Sequence, residues 1–356
     1  MQYFEDFPVR QAGGLHPALS RSRRCLFCFV LSACTALAQG TLSGPSLGLV
    51  YDPAAQAIRP VLGIPGASTA GKHIDLGFTI AAAAIAPSHN YALALSTDGS
   101  LQLVTFRSDG VSAQAISSSA RPDRMVLSPS GSAAILYYKS AAAVQVVTGL
   151  PDSVQVGTQL DISALPQAPD TLAISDDGAV VLAGVAENGK DEAARGEVFL
   201  VPPDGSAARS IAVVQHASAM AFYTKSQDVL IADDVANSIT MVSDAAGQAS
   251  QQWTFTDAGL PAPDSVQVSA DRKTVLAGSS KNGMLAIVDA TGVNAPMFVK
   301  CQCAPMEVRP FKPAGIFQVT EPGNGLLWIF DSNPVNPRVL FVPVPSDGDA
   351  GMGSGQ

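Results

Sequence analysis

A chain of 356 residues that is 47% hydrophobic and only 14% charged can bury a large core, which excludes an intrinsically disordered protein. Its net charge of −9, with no basic patch interleaved with aromatics, excludes nucleic acid and disfavours anionic lipid as a partner. Aromatic residues make up 6%, while Ala, Val, Leu, Gly, Ser and Asp dominate, a mix that suits short strands joined by polar turns.

Residues 1–38 read as a secretory signal peptide. Arg21, Arg23 and Arg24 precede the apolar run Cys25 to Ala38, which closes on the small-x-small site Ala36-Leu37-Ala38. The run falls short of the about 20 apolar residues that span a bilayer, so cleavage is expected rather than a retained anchor. An alternative reading overlaps it: Leu31-Ser32-Ala33-Cys34 matches a lipobox, in which Cys34 is acylated and becomes the mature N-terminus. Removing residues 1–38 takes away four Arg and two acids and leaves 17 basic against 28 acidic residues. The predicted location is outside the cytoplasm, in periplasm, outer membrane or medium, with membrane contact only through such a lipid anchor.

A linker at 39–45 leads to an orphan pair of predicted strands, LGLVYD at 47–52 and AIRPVL at 57–62. They resemble the third and fourth strands of the repeat that follows. Six segments then share one plan, an apolar strand, a polar turn, a second strand and a third, with a weaker outer strand after most of them. Their common pattern places Ala86, Ser128, Ser175, Tyr223, Ser269 and Arg309 at one position, at intervals of 42, 47, 48, 46 and 40 residues. Periods of 40–50 residues carrying several strands belong to propeller blades. The columns one and three residues before this anchor are wholly apolar, and most residues between them are small or apolar. A strand buried on both faces follows from that pattern. The expected fold is therefore all-β, a β-propeller of six repeats with six or seven four-stranded blades over residues 46–344. The orphan pair leaves the seventh blade open. The Gly-rich tail at 345–356 is expected to be disordered.

The segment SVQVSADRKTVLAGSSKNGMLAIVDATG, and more loosely TLAISDDGAVVLAG with GEVFLVPPDG, resembles the YVTN-type and NHL-like propeller repeats of exported bacterial proteins. The resemblance covers residues 83–343 and matches each repeat imperfectly. It implies a seven-bladed ring and binding outside the cytoplasm, but no single activity.

Chemistry-bearing residues are sparse. Beyond residue 38 there are three His, His73, His89 and His216, the last two near strand ends and expected to be solvated. HExxH and phosphate-loop motifs are absent. Cys301 and Cys303 form a CxC that could close a local disulfide in an oxidising compartment. Five residues before the anchor, Asp123, Asp170 and Asp264 recur, each preceded by Pro. They begin innermost strands and should ring one mouth of the central channel. Such carboxylates can hold Ca²⁺ or a polar ligand, or cap turns by accepting backbone N–H groups. The charged loop at 187–196 is a second candidate for recognition.

Two functions follow as expectations. The first is a non-catalytic scaffold, without cofactor, that binds a protein, peptide or glycan outside the cytoplasm. The alternative is a lactonase- or hydrolase-like enzyme with a cation at the channel mouth.

Overall fold

The computed structural model describes residues 44–186, 195–320 and 327–344. The predicted signal peptide with Cys34, the start of the predicted linker, most of the charged loop and the tail lie outside the described residues. Every regular element described is a strand, and the strands form seven sheets. Blade 1 has three strands, β1 (Ser46–Asp52), β2 (Ala57–Ile64) and β3 (Ala67–Ala70). Blades 2 to 7 have four each, over residues 80–116, 124–161, 171–214, 217–256, 265–300 and 307–342. The protein is a seven-bladed β-propeller.

Burial explains the sequence pattern within each blade. The second strands Tyr91–Ser96, Ala133–Tyr138 and Val181–Ala186 are buried at every position, because sheets cover both faces. The outer strand Gly110–Ile116 is exposed at all but its last residue. Cohesion comes from the seams between blades. Leu93 and Leu101 of blade 2 meet Leu136 and Met125 of blade 3, and the same layering recurs around the ring. Each fully buried Leu, Ile or Val contributes roughly 1.5–3 kcal/mol relative to exposure. The ring is closed on both sides of blade 1. Leu47, Val50 and Val61 pack on Phe311 and Ile329 of blade 7, while Leu49 and Ile58 pack on Ile80 and Ala92 of blade 2.

The turn after each innermost strand carries the repeat signature. The anchor N–H donates to the carbonyl at the start of the second strand, from Ser128 to Ala133 and from Ser269 to Thr274. Where the anchor is Ser, its Oγ accepts an N–H at the start of the second strand, from Ala133, Val180 or Thr274, at 3.0–3.1 Å. In the Ser-x-Asp versions Oγ also donates to Asp177 or Asp271 at 2.5 Å, which holds both carboxyls below the usual range. Neighbouring turns are stitched together. The Asp176 carboxylate in blade 4 accepts the Ser130 N–H of blade 3 and the Lys225 N–H of blade 5, each at 2.7 Å.

Two sequence assignments are corrected. In blade 7 the residue that makes the anchor bond is Phe311, whose N–H donates to Ile316 O at 2.8 Å; it is not Arg309. The alignment had slipped by two residues, a shift that keeps every side chain on its own face and so leaves apolar alternation intact. The orphan pair is also reassigned. β1 ends beside the start of the first strand of blade 2, where Tyr51 Oη donates to Ile80 O and Ala81 O at 3.1 and 3.0 Å. It begins beside the end of the first strand of blade 7, where Leu47 O accepts Lys312 N–H at 2.9 Å. It therefore runs against the six innermost strands, as second strands do. β1, β2 and β3 take the second, third and fourth positions, not the third and fourth for the first two.

Candidate functional site: the central channel and its aspartate mouth

The six innermost strands point the same way around an axial cavity of about 820 Å³. Their apolar side chains go sideways into the seams, so the wall alternates strand edges with half-buried side chains such as Ala83, Met220 and Gln267. Polar groups enter near the mouth where these strands begin, among them Arg124, Ser218 and Asp264.

The three predicted aspartates all lie at that mouth, each one residue before its innermost strand. Asp264 lines the cavity, while Asp123 and Asp170 are exposed beside it. Two of the carboxylates accept backbone N–H groups from the far end of the second strand. Asp123 takes Lys139 N–H and Asp264 takes Ser280 N–H, both at 2.7 Å. That is a turn-capping geometry, which ties the start of the first strand to the next hairpin. Among the described residues no three His, Cys, Asp or Glu side chains converge as a metal-holding group.

Asp170 is used differently. Its Oδ2 lies 3.6 Å from Nε2 of His216, and its carbonyl accepts Arg124 Nη1 at 2.8 Å. His216 is buried rather than solvated, and its Nδ1 lies 2.5 Å from Oδ1 of the equally buried Asp234. The carboxylate requires the proton on Nδ1, so Nε2 is the nitrogen that faces the mouth. Asp233 fixes the arrangement by accepting the N–H groups of Gln215, His216, Val235 and Ala236 at 2.6–3.2 Å. Close by, burial pushes the Tyr137 phenol above its ordinary value; the Arg124 charge opposes the shift, and those of Asp123 and Asp170 add to it. The Asp234–His216–Asp170 chain is a functional-looking group that the repeat pattern of the sequence does not display. Blade 5 carries Ser218 where blades 3, 4 and 6 carry Asp, and its carboxylates come from the end of the second strand instead. The signal was available as Asp233-Asp234, sixteen residues after the column, where blades 3 and 6 have Lys139 and Ser280.

His89 is also buried, at 4% exposure, but at the opposite mouth. Its Nδ1 accepts Leu49 N–H at 2.9 Å, its Nε2 lies 3.0 Å from Pro310 O, and its ring stacks on Phe311 at 5.5 Å. An acceptor at Nδ1 and a donor at Nε2 define one neutral tautomer. Burial pushes its pKa below the ordinary value, with Pro310 O opposing and the Lys312 charge reinforcing the shift. Its role is structural, across the seams of blades 7, 1 and 2.

Cys301 and Cys303 are joined through their sulfurs in the buried turn before the first strand of blade 7.

No family model and no curated protein matches the chain. Among solved structures it is similar to a functionally unknown protein from Desulfotomaculum acetoxidans DSM 771. The TM-score is 0.57 and the identity 12%, over 85% of this chain and 100% of that one. A likeness at that identity carries the propeller fold and leaves function to the site itself.

Proposed function

We propose that this chain is an exported YVTN-type propeller that acts as a non-catalytic binding scaffold. Its ligand is a protein, peptide or glycan segment outside the cytoplasm, received through the aspartate mouth. The observation that carries this reading is the axial cavity of about 820 Å³, large enough for a ligand segment and lined by both apolar and polar side chains. The apolar export signal agrees with it, whether Cys34 is acylated or the cut falls after Ala38. The test is to narrow the channel without touching its mouth. Gln267→Trp places an indole on the cavity wall, and binding of ligand captured from the native envelope is expected to fall at least tenfold. Binding that survives this substitution would move the site to the outside of the ring.

A second reading, the hydrolase-like enzyme, gains one observation. The buried Asp234 orients His216 with Nε2 toward the mouth, as a general base requires. Hydrolysis that vanishes in His216→Asn while ligand binding persists would favour it over the scaffold.

A further inference from the structure

We propose that the edge of β1 that faces the channel accepts an extended, uncharged peptide strand, so that the ligand is held by backbone pairing. This rests on the channel-binding reading above and names the ligand class for that same site.

Among the described residues β1 pairs with β2 alone, and its other edge, from Leu49 to Tyr51, lines the cavity. In the other blades the second strand has a partner on that side, as Ile135 has Val126 and Ala277 has Val266. In blade 1 part of the edge is covered by substitutes. The His89 imidazole takes Leu49 N–H, and Lys312 N–H goes to Leu47 O. A row of backbone donors and acceptors at a strand edge recognises one chemistry above others, another chain in extended conformation.

Charge narrows the ligand further. Beside this edge Arg59 pairs with Asp52 at 2.8 Å, and Arg309 pairs with Glu307 at 2.7 Å. Leu49 and Leu327 also line the cavity, so an uncharged segment with small or apolar side chains fits. Four residues suffice, as they do in Arg124–Leu127 and Thr171–Ile174, a length of about 13 Å at 3.3 Å per residue. Antiparallel to β1, the segment enters at the aspartate mouth and runs toward His89, which it displaces from Leu49.

The probe is acetyl-Ser-Val-Ser-Val-amide, compared with the same peptide N-methylated at every amide, which keeps the side chains and loses the donors. Calorimetry and hydrogen exchange over residues 46–64 of the full chain are read together. The unmethylated peptide is expected to slow exchange there at least tenfold and the methylated one to have no effect. His89→Asn is expected to bind the probe at least threefold tighter, since its competitor is gone. The peptide pair needs no variant and decides the matter even if that one folds poorly. Equal binding of both peptides, protection confined to other strands, or no protection at millimolar peptide would each overturn the proposal. Faster exchange over 46–64 on deleting residues 345–356, without peptide, would also overturn it by showing that the chain supplies its own strand. Gln267→Trp separates the two ideas: if it abolishes capture while the tetrapeptide leaves residues 46–64 unprotected, the channel reading stands and strand pairing falls.

Discussion

The imidazole of His89 and the backbone of Leu49 stand in the relation that one strand normally has to another: Nδ1 accepts at 2.9 Å an N–H on the channel-facing edge of β1. The bond exists only while Nδ1 is unprotonated. Burial, the dominant cause, places the folded-state pKa below the ordinary 6.5. The folded protein then binds fewer protons than the unfolded chain, so stability rises with pH across this window. The contribution is complete above about pH 6.5 and is lost as pH falls through the depressed folded value. Melting temperature is expected to drop from pH 7 to pH 5 in the wild type. The drop should be smaller in His89→Asn, chosen because Asn tolerates the positive φ of 54° at this position. At pH 7 the substitution should cost about 1–3 kcal/mol, from leaving Leu49 N–H or Pro310 O without its partner. Equal pH slopes in the two proteins would contradict this account.

Gly48 is the residue that makes room for that ring. Its φ is +152°, and an added Cβ would lie 2.7 Å from two His89 ring atoms and 2.8 Å from Phe311. Gly48→Ala should destabilise by about 1–3 kcal/mol in urea unfolding. In the His89→Ala background it should cost measurably less, because half of the clash is gone. Additive effects would mean that backbone conformation alone is responsible.

Asp176 joins the turns of three blades, so its removal should act beyond its own. Asp176→Ala is expected to lower stability by about 1–2 kcal/mol. Hydrogen exchange should quicken at Ser130 and Lys225 together. Faster exchange confined to residues 175–180 would show that the stitching is incidental.

The aspartate column separates capping from cation binding. Asp123→Asn and Asp264→Asn should each cost about 1 kcal/mol, equally with and without millimolar Ca²⁺, as lost charge-assisted caps. Calcium titration of the wild type should give no heat. Binding heat that disappears in the Asn variants would instead place a cation at the mouth.

The Cys301–Cys303 link closes so short a loop that chain entropy gives it only about 1–2 kcal/mol. Cys303→Ser should therefore lower stability modestly in oxidising buffer and leave the fold intact. A loss of folding would point to Cys303, which is buried, as a packing residue first.

Periodicity made the fold legible, because a propeller writes the same burial pattern once per blade. It could not fix register to better than two residues, since such a slip returns every side chain to its own face; hence Arg309 stood where Phe311 belongs. Nor could it tell a second strand from a third in the orphan pair, for both are apolar and buried on two faces. Only direction, revealed by Tyr51 at Ile80 and by Leu47 at Lys312, separates them. The aspartate column was readable because three blades repeat it at one offset. The Asp234–His216 pair left only a trace in one blade, Asp233-Asp234, which no repeat announces.

A first blade that opens, among the described residues, on its second strand has a practical meaning for handling the protein. The described chain enters the ring at the His89 mouth, with Ser46, and leaves it at the aspartate mouth, where Val344 borders the cavity. A sensor surface coupled upstream of Ser46 thus holds the ring by its His89 mouth and leaves the aspartate mouth open to ligand. The same surface coupled downstream of Val344 stands across the entrance. Two immobilised forms of one protein should therefore report different on-rates for a ligand that enters by that mouth, and equal on-rates for one that binds the outer strands.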